Sequence, residues 1–223
     1  MKKILETLKR KWAEYLLEII VIMFGILGAF TLNNWNEERK NRKLEIAYLK
    51  NVNEEFKGNL IQFNQNLEAH LEIAESCDSL QASFPITIDN WESFKNSIIG
   101  VLRGKTFDPS YSSIESLINS SSIDLISNAE LKNLLLSWPK TLEDWKEEDI
   151  MLTVNIEELG RWLLKNVDYY DDMRLVNPEL LFELQNSITS RCYWQALIIN
   201  DPETKRLVNV MESIITMSDP YVE

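Results

Sequence analysis

The chain has 223 residues and only one histidine, two cysteines, six glycines and six prolines. The single histidine, His70, removes most histidine-built metal sites and hydrolytic triads from consideration. So little Gly and Pro argues against a turn-rich β protein or a collagen-like one. No G-x-G-x-x-G and no G-x-S-x-G is present, and no Glu-x-x-His pair exists for a metal centre in a helical bundle. The stretch Gly100-Val101-Leu102-Arg103-Gly104-Lys105-Thr106 comes nearest to a phosphate-binding loop. It is one residue short and follows a predicted helix rather than a strand, so no cradle of backbone N–H groups is expected. No lipobox-type cysteine and no small-residue cleavage site follows the apolar segment described below.

What the chain does hold is acid. It carries 35 Asp+Glu against 23 Lys+Arg, a net charge of -12. The imbalance is local: residues 1–50 are net +4 and residues 51–223 are net -16. An acidic body repels phosphate backbones, so nucleic acid is not an expected partner. Hydrophobic residues make up 45% of the chain, enough for a packed core.

From Ile19 to Leu32 there is no charged side chain. Extending the run back through Tyr15 brings it to the ~17–25 residues that cross a bilayer. Trp12 and Tyr15 stand at one end and Trp35 at the other, where amphipathic rings favour the headgroup zone. The segment therefore reads as an uncleaved signal anchor. A buried core helix and a cleaved signal peptide are the rival readings. Lys9, Arg10 and Lys11 precede the span, which places the N-terminus in the cytoplasm and the body outside it. Arg39, Lys40, Arg42 and Lys43 beyond the span weigh the other way.

Glu18 sits at the rim of the span, where a carboxylate is costly unless hydrated or paired. It can snorkel to the near interface. It also shares one helical stripe with Ile22, Gly25, Ala29 and Leu32. Gly25 and Ala29 form a small-xxx-small pair that lets helices approach closely. The stripe predicts a helix-association face toward another copy or a partner span. A second use of Glu18, in an ion- or proton-coupled accessory subunit, is the alternative.

Glu18-Ile19-Ile20-Val21-Ile22, Gly25-Ile26-Leu27 and Asn33-Asn34-Trp35-Asn36-Glu37-Glu38-Arg39 together resemble the start of an uncharacterised bacterial family. Its members are short single-pass membrane proteins with a domain of unknown function, and their N-terminal span ends in an Asn-Asn-Trp-Asn-Glu signature. A looser similarity covers Tyr111-Ser112-Ser113-Ile114-Glu115-Ser116-Leu117 and Asp124 to Leu131. Where that family pattern has Gly in the middle of the second motif, this chain has Ser120, Ser121 and Ser122. The resemblance implies topology and an all-helical body, and it transfers no activity.

The rest of the chain reads as helices. Leu49, Val52, Phe56, Leu60, Phe63, Leu67, His70/Leu71 and Ala74 recur at three and four residues, predicting one long helix to about Ala82. A break at Ser83–Asp89 precedes a helix from Trp91 to about Leu102. Asp108-Pro109 predicts a short helix, and Ser127 or Asn128 caps the next, ending near Trp138-Pro139. A further helix covers Thr141 to Val167, with Leu142, Trp145, Leu152, Ile156, Leu159 and Leu163 on one face and Asp149 interrupting it. Asn177-Pro178-Glu179 and Asp201-Pro202-Glu203 are helix starts.

The acidic clusters at 143–149 and 168–172 lack a calcium loop and read as solvated faces. His70 reads as a packing residue. Cys77 and Cys192 form a disulfide if they meet outside the cytoplasm, and otherwise are small buried hydrophobes.

The expected fold is all-α. Residues 1–14 form a basic amphipathic tail and 15–35 a transmembrane helix continuing into a long helix. Residues 36–223 form an elongated, extracytoplasmic helical bundle. The expected role is a non-enzymatic membrane-anchored scaffold, sensor or interaction module without a cofactor. Its expected partners are the lipid bilayer and either further copies or an integral membrane protein. The expected location is the cell inner membrane.

Overall fold

In a computed structural model the protein is described over residues 2–222, with side chains from Trp12 to Val222. The protein is all-α. In chain order it has helix α1 (Lys2–Gln81), α2 (Trp91–Val101), α3 (Ser112–Asn119), α4 (Ala129–Asn166), a two-residue hairpin of β1 (Val167–Asp168) and β2 (Arg174–Leu175), α5 (Leu181–Asn200) and α6 (Pro202–Ser218). Short 3-10 turns follow α3, precede α5 and follow α6. The chain divides into two units, Met1–Tyr48 and Leu49–Glu223.

In the second unit, the α1 residues that are buried are Leu49, Val52, Asn53, Phe56, Asn59, Phe63, Asn66, His70, Ile73, Cys77 and Leu80. Apart from Asn53, which lies beside the stripe, their spacing alternates three and four, the pattern of a helix that keeps one face against its neighbours. This corrects the sequence-based seam. Leu60, Leu67 and Ala74 are only half-buried and Leu71 is exposed. The true stripe passes through Asn59 and Asn66, which apolar periodicity skips, and through His70 rather than Leu71.

The amide nitrogen of each buried asparagine on this face has a partner. Asn53 Nδ2 donates to Ser218 Oγ (2.9 Å) and Asp219 Oδ1 (3.0 Å). Asn59 donates to the Ser110 carbonyl and accepts from the Ser110 N–H at 3.0 Å. Asn66 donates to the Lys105 carbonyl at 3.0 Å. The irregular segment between α2 and α3 is thus pinned to α1 by two asparagines through its backbone.

Asp108-Pro109 does not open a helix, because α3 begins at Ser112. Its N-terminus is capped from α1 rather than locally. Glu55 Oε2 accepts from the Ser113 N–H (3.0 Å), Ser112 Oγ (3.0 Å) and Ser113 Oγ (2.7 Å). A carboxylate there satisfies an orphan donor and complements the positive helix end. After α3 the chain turns through Ser121, whose φ of 54° lies in the left-handed region.

Helix α4 runs through Pro139 instead of ending there. The proline removes one backbone donor. The helix persists because Leu135, Trp138, Thr141, Leu142 and Trp145 on both sides of it are buried. Asn128 caps α4, accepting from the Glu130 and Leu131 N–H groups, and Asp201 caps α6 ahead of Pro202. Helix α4 packs along α5 and α6.

Aromatic rings fill the centre: Phe56 meets Trp138 edge-on at 4.8 Å, and Phe63, Phe107 and Trp145 form a triangle of edge contacts at 4.9–5.7 Å. Toward the end of α1, Ile73, Cys77 and Leu80 join α2, Leu159, Leu163, Leu184, Ile188 and Cys192 in one core. Gly100 allows the close approach of α2, since a Cβ there would lie 3.0 Å from Ser76 Oγ. The hairpin is tied to α2 by Trp91 Nε1, which donates to the Met173 carbonyl (3.0 Å), and by Lys95, paired with Asp172 at 2.7 Å.

Candidate functional site

Two features carry chemistry that the core does not need, one in each unit. In the first unit, α1 is the one described helix long and apolar enough to cross a membrane. Its apolar window is not buried in the protein at all. Phe24 is 73% exposed, Leu32 67% and Ile22 54%. That exposure differs from a buried core helix, whose apolar residues would be covered. Trp12, Tyr15 and Trp35 are likewise exposed at the two ends. The Arg39 guanidinium lies 5.8 Å from the Trp35 ring centroid, a cation–π contact at the distal end. The one hydroxyl of the apolar run is satisfied within the helix, Thr31 Oγ1 donating to the Leu27 carbonyl at 2.8 Å.

Glu18, Ile22, Gly25, Ala29 and Leu32 all lie on this helix and are exposed, at the spacing that places them on one face. Nothing stands within 4 Å of a Cβ built on Gly25. The side chains of Lys9, Arg10 and Lys11, the cluster used to orient the span, lie outside the described side chains.

In the second unit a buried polar group joins α1, α5 and the end of α2. Arg191 is 0% exposed. Its Nε donates to the Val101 carbonyl (3.1 Å), one terminal nitrogen to Gln195 Oε1 (2.8 Å) and the other to the Arg103 carbonyl (3.1 Å). All three of these acceptors are neutral. Burial lowers its pKa, opposed by the nearby Cys77 and Cys192. A guanidinium nonetheless keeps its proton in proteins.

With its oxygen engaged by Arg191, Gln195 turns its amide nitrogen to His70, 3.0 Å from ring Nδ1 and 2.8 Å from the main-chain oxygen. Nδ1 is therefore the acceptor and Nε2 bears the hydrogen of a neutral ring. Nε2 has no partner within hydrogen-bond geometry, although the Lys105 backbone is close enough to favour a ring proton. Burial dominates and holds the His70 pKa below its ordinary value of 6.5, with the Arg191 charge adding to the effect.

The structure brings Cys77 and Cys192 together as free thiols, both buried. Each is the largest influence on the other's ionisation. The hydrogen bond from Cys192 pulls Cys77 below the ordinary thiol value, against burial and aided by Arg191. Hydrogen bonding to Cys77, together with burial, pushes Cys192 up. The pair thus gives up one proton readily and the second with difficulty. A groove of about 270 Å³ lies over the two sulfurs, edged by Ala74, Asp78, Thr189 and Ala196. Sequence reasoning named both cysteines but missed Arg191 and Gln195. Their i,i+4 spacing on a predicted helix was the only signal available.

Part of each acidic cluster is engaged in ion pairs on the surface. Lys140 bridges Glu143 (3.4 Å) and Asp144 (2.7 Å), while Arg174 pairs with Asp171 (2.6 Å). Among the described residues no group of His, Cys, Asp and Glu side chains could hold a metal ion.

Residues 18–135 match the model of a family described as a family of unknown function, DUF6090. No curated protein and no solved structure matches the chain.

Proposed function

This chain belongs to DUF6090, a family of unknown function, and from that premise we propose that it is a single-pass membrane-anchored helical interaction module. The observation that carries this reading is the uncovered apolar stretch of α1, framed by Trp12 and Tyr15 at one end and Trp35 with Arg39 at the other. Exposed apolar surface on this scale is tolerated in lipid and costly in water. The second unit supplies its own core, so it does not need that stretch for burial. Its place is outside the cytoplasm, by the basic cluster Lys9, Arg10 and Lys11 immediately ahead of the span. The role is non-enzymatic. The sole histidine is sealed, with its lone pair held by Gln195, and several of the clustered acids are engaged in surface ion pairs.

The span self-associates through Glu18, Ile22, Gly25, Ala29 and Leu32. The small pair at Gly25 and Ala29 lets backbones come close enough for dispersion and interhelical hydrogen bonds to replace lipid contacts. The test is chemical crosslinking of the full chain in native membranes. The expected result is a discrete oligomer band that the double variant Gly25→Ile, Ala29→Ile loses while remaining membrane-bound. An unchanged band in that variant removes this face from the account.

A further inference from the structure

Three features meet at the end of α1 that neither packing nor anchoring explains: two adjacent buried thiols, a groove leading to them, and a fully buried cation whose contacts are neutral. A leucine or valine pair would fill the same core volume at lower chemical risk. We propose that Cys77 and Cys192 form a thiol–disulfide exchange site, closed by a small disulfide into an intramolecular bond between α1 and α5, with Arg191 stabilising the attacking thiolate. This goes beyond the membrane reading and does not rest on it.

The chemistry follows from the arrangement. A thiolate, not a thiol, attacks a disulfide, and a nearby guanidinium favours the thiolate. The two thiols share a hydrogen bond, so one of them opens the exchange and the other completes it, here with Cys77 first. The Cys77 thiolate attacks one sulfur of the incoming disulfide R–S–S–R. A mixed disulfide Cys77–S–S–R forms and R–S⁻ leaves, taking up the proton that Cys77 released. Cys192 then loses its proton as its sulfur attacks the Cys77 sulfur, and the second R–S⁻ leaves with that proton. Two protein thiols are oxidised to one disulfide, and one disulfide is reduced to two free thiols. Ala74, Ala196 and Thr189 give the groove small walls, and Gln81 and Tyr193 complete its lining. Asp78 at the rim places negative charge there, which favours a cationic disulfide over an anionic one.

The experiment uses the reduced full chain in detergent and cystamine, a small dicationic disulfide. After an acid quench, the chain is digested without reduction and its peptides are weighed. The expected product is a linked Cys77–Cys192 peptide with no retained cysteamine, reverting fully under dithiothreitol. In Cys192→Ser, cysteamine stays on Cys77. In Cys77→Ser, cysteamine stays on Cys192, since the second sulfur that would release it is gone. Arg191→Lys keeps the charge and closes the bond, which separates an electrostatic role from a shape requirement. The proposal is overturned if the wild-type chain retains cysteamine without linking. It is equally overturned if the linked peptide forms only in urea, or if neither single variant takes up cysteamine.

Discussion

Gln195 gives both amide hydrogens to His70, one to ring Nδ1 at 3.0 Å and one to the main-chain oxygen at 2.8 Å, while its own oxygen accepts from Arg191. One glutamine therefore fixes the tautomer of the only histidine and partners a buried cation. The arrangement has a cost in acid, because protonating His70 would set a second positive charge beside Arg191 and abolish the Nδ1 acceptor.

The folded-state pKa of His70 is depressed below 6.5. The unfolded chain thus binds a proton first as pH falls. The stability contributed by this residue is present above pH 6.5 and is lost as pH falls through the folded value. With a single histidine in the chain, imidazole NMR reads the titration directly. A midpoint below 6.5 with the Nε2–H tautomer is expected, and a midpoint at or above 6.5 would contradict the geometry.

Glu55 caps α3 across space, so Glu55→Ala leaves the Ser113 N–H and two hydroxyls without their acceptor. The expected cost is about 1–2 kcal/mol. Urea unfolding measures it, and hydrogen exchange at Ser113 should speed up locally. Unchanged exchange there would mean that α3 is held some other way.

Ser121 occupies a left-handed turn at φ 54°. An L side chain in that region costs about 1–2 kcal/mol, and glycine gives back part of the gain in unfolded-state entropy. Ser121→Gly is expected to raise stability by about 0.5–1 kcal/mol in the same urea assay. A loss of stability would show that the Ser120 to Ser122 hydroxyl contact at 2.8 Å depends on the serine backbone geometry.

The helical character of nearly every segment was legible, because apolar residues at Leu49, Val52, Phe56 and Phe63, and caps such as Asn128 and Asp201, act within one helix. The register of α1 beyond Phe56 was legible only in part, at Phe63 and His70. Asn59 and Asn66 are polar and read as solvent-facing until their partners, far away in sequence, are known, whereas His70 was legible as a packing residue. Pro139 read as a stop because a local rule cannot weigh the buried residues flanking it. Asp149 read as an interruption of the α4 face, and burial does raise its pKa there. The proximity of the two cysteines and the Arg191 node are long-range facts. Cys77 and Cys192 are separated by most of the second unit, and no spacing rule reports on that.

The anchoring claim is tested most directly by washing membranes that carry the full-length chain with alkaline carbonate, then sequencing the N-terminus of what remains. The account predicts that the protein stays in the membrane pellet with residues 15–35 intact. Release into the supernatant, or a mature chain cut after the apolar run, would contradict it.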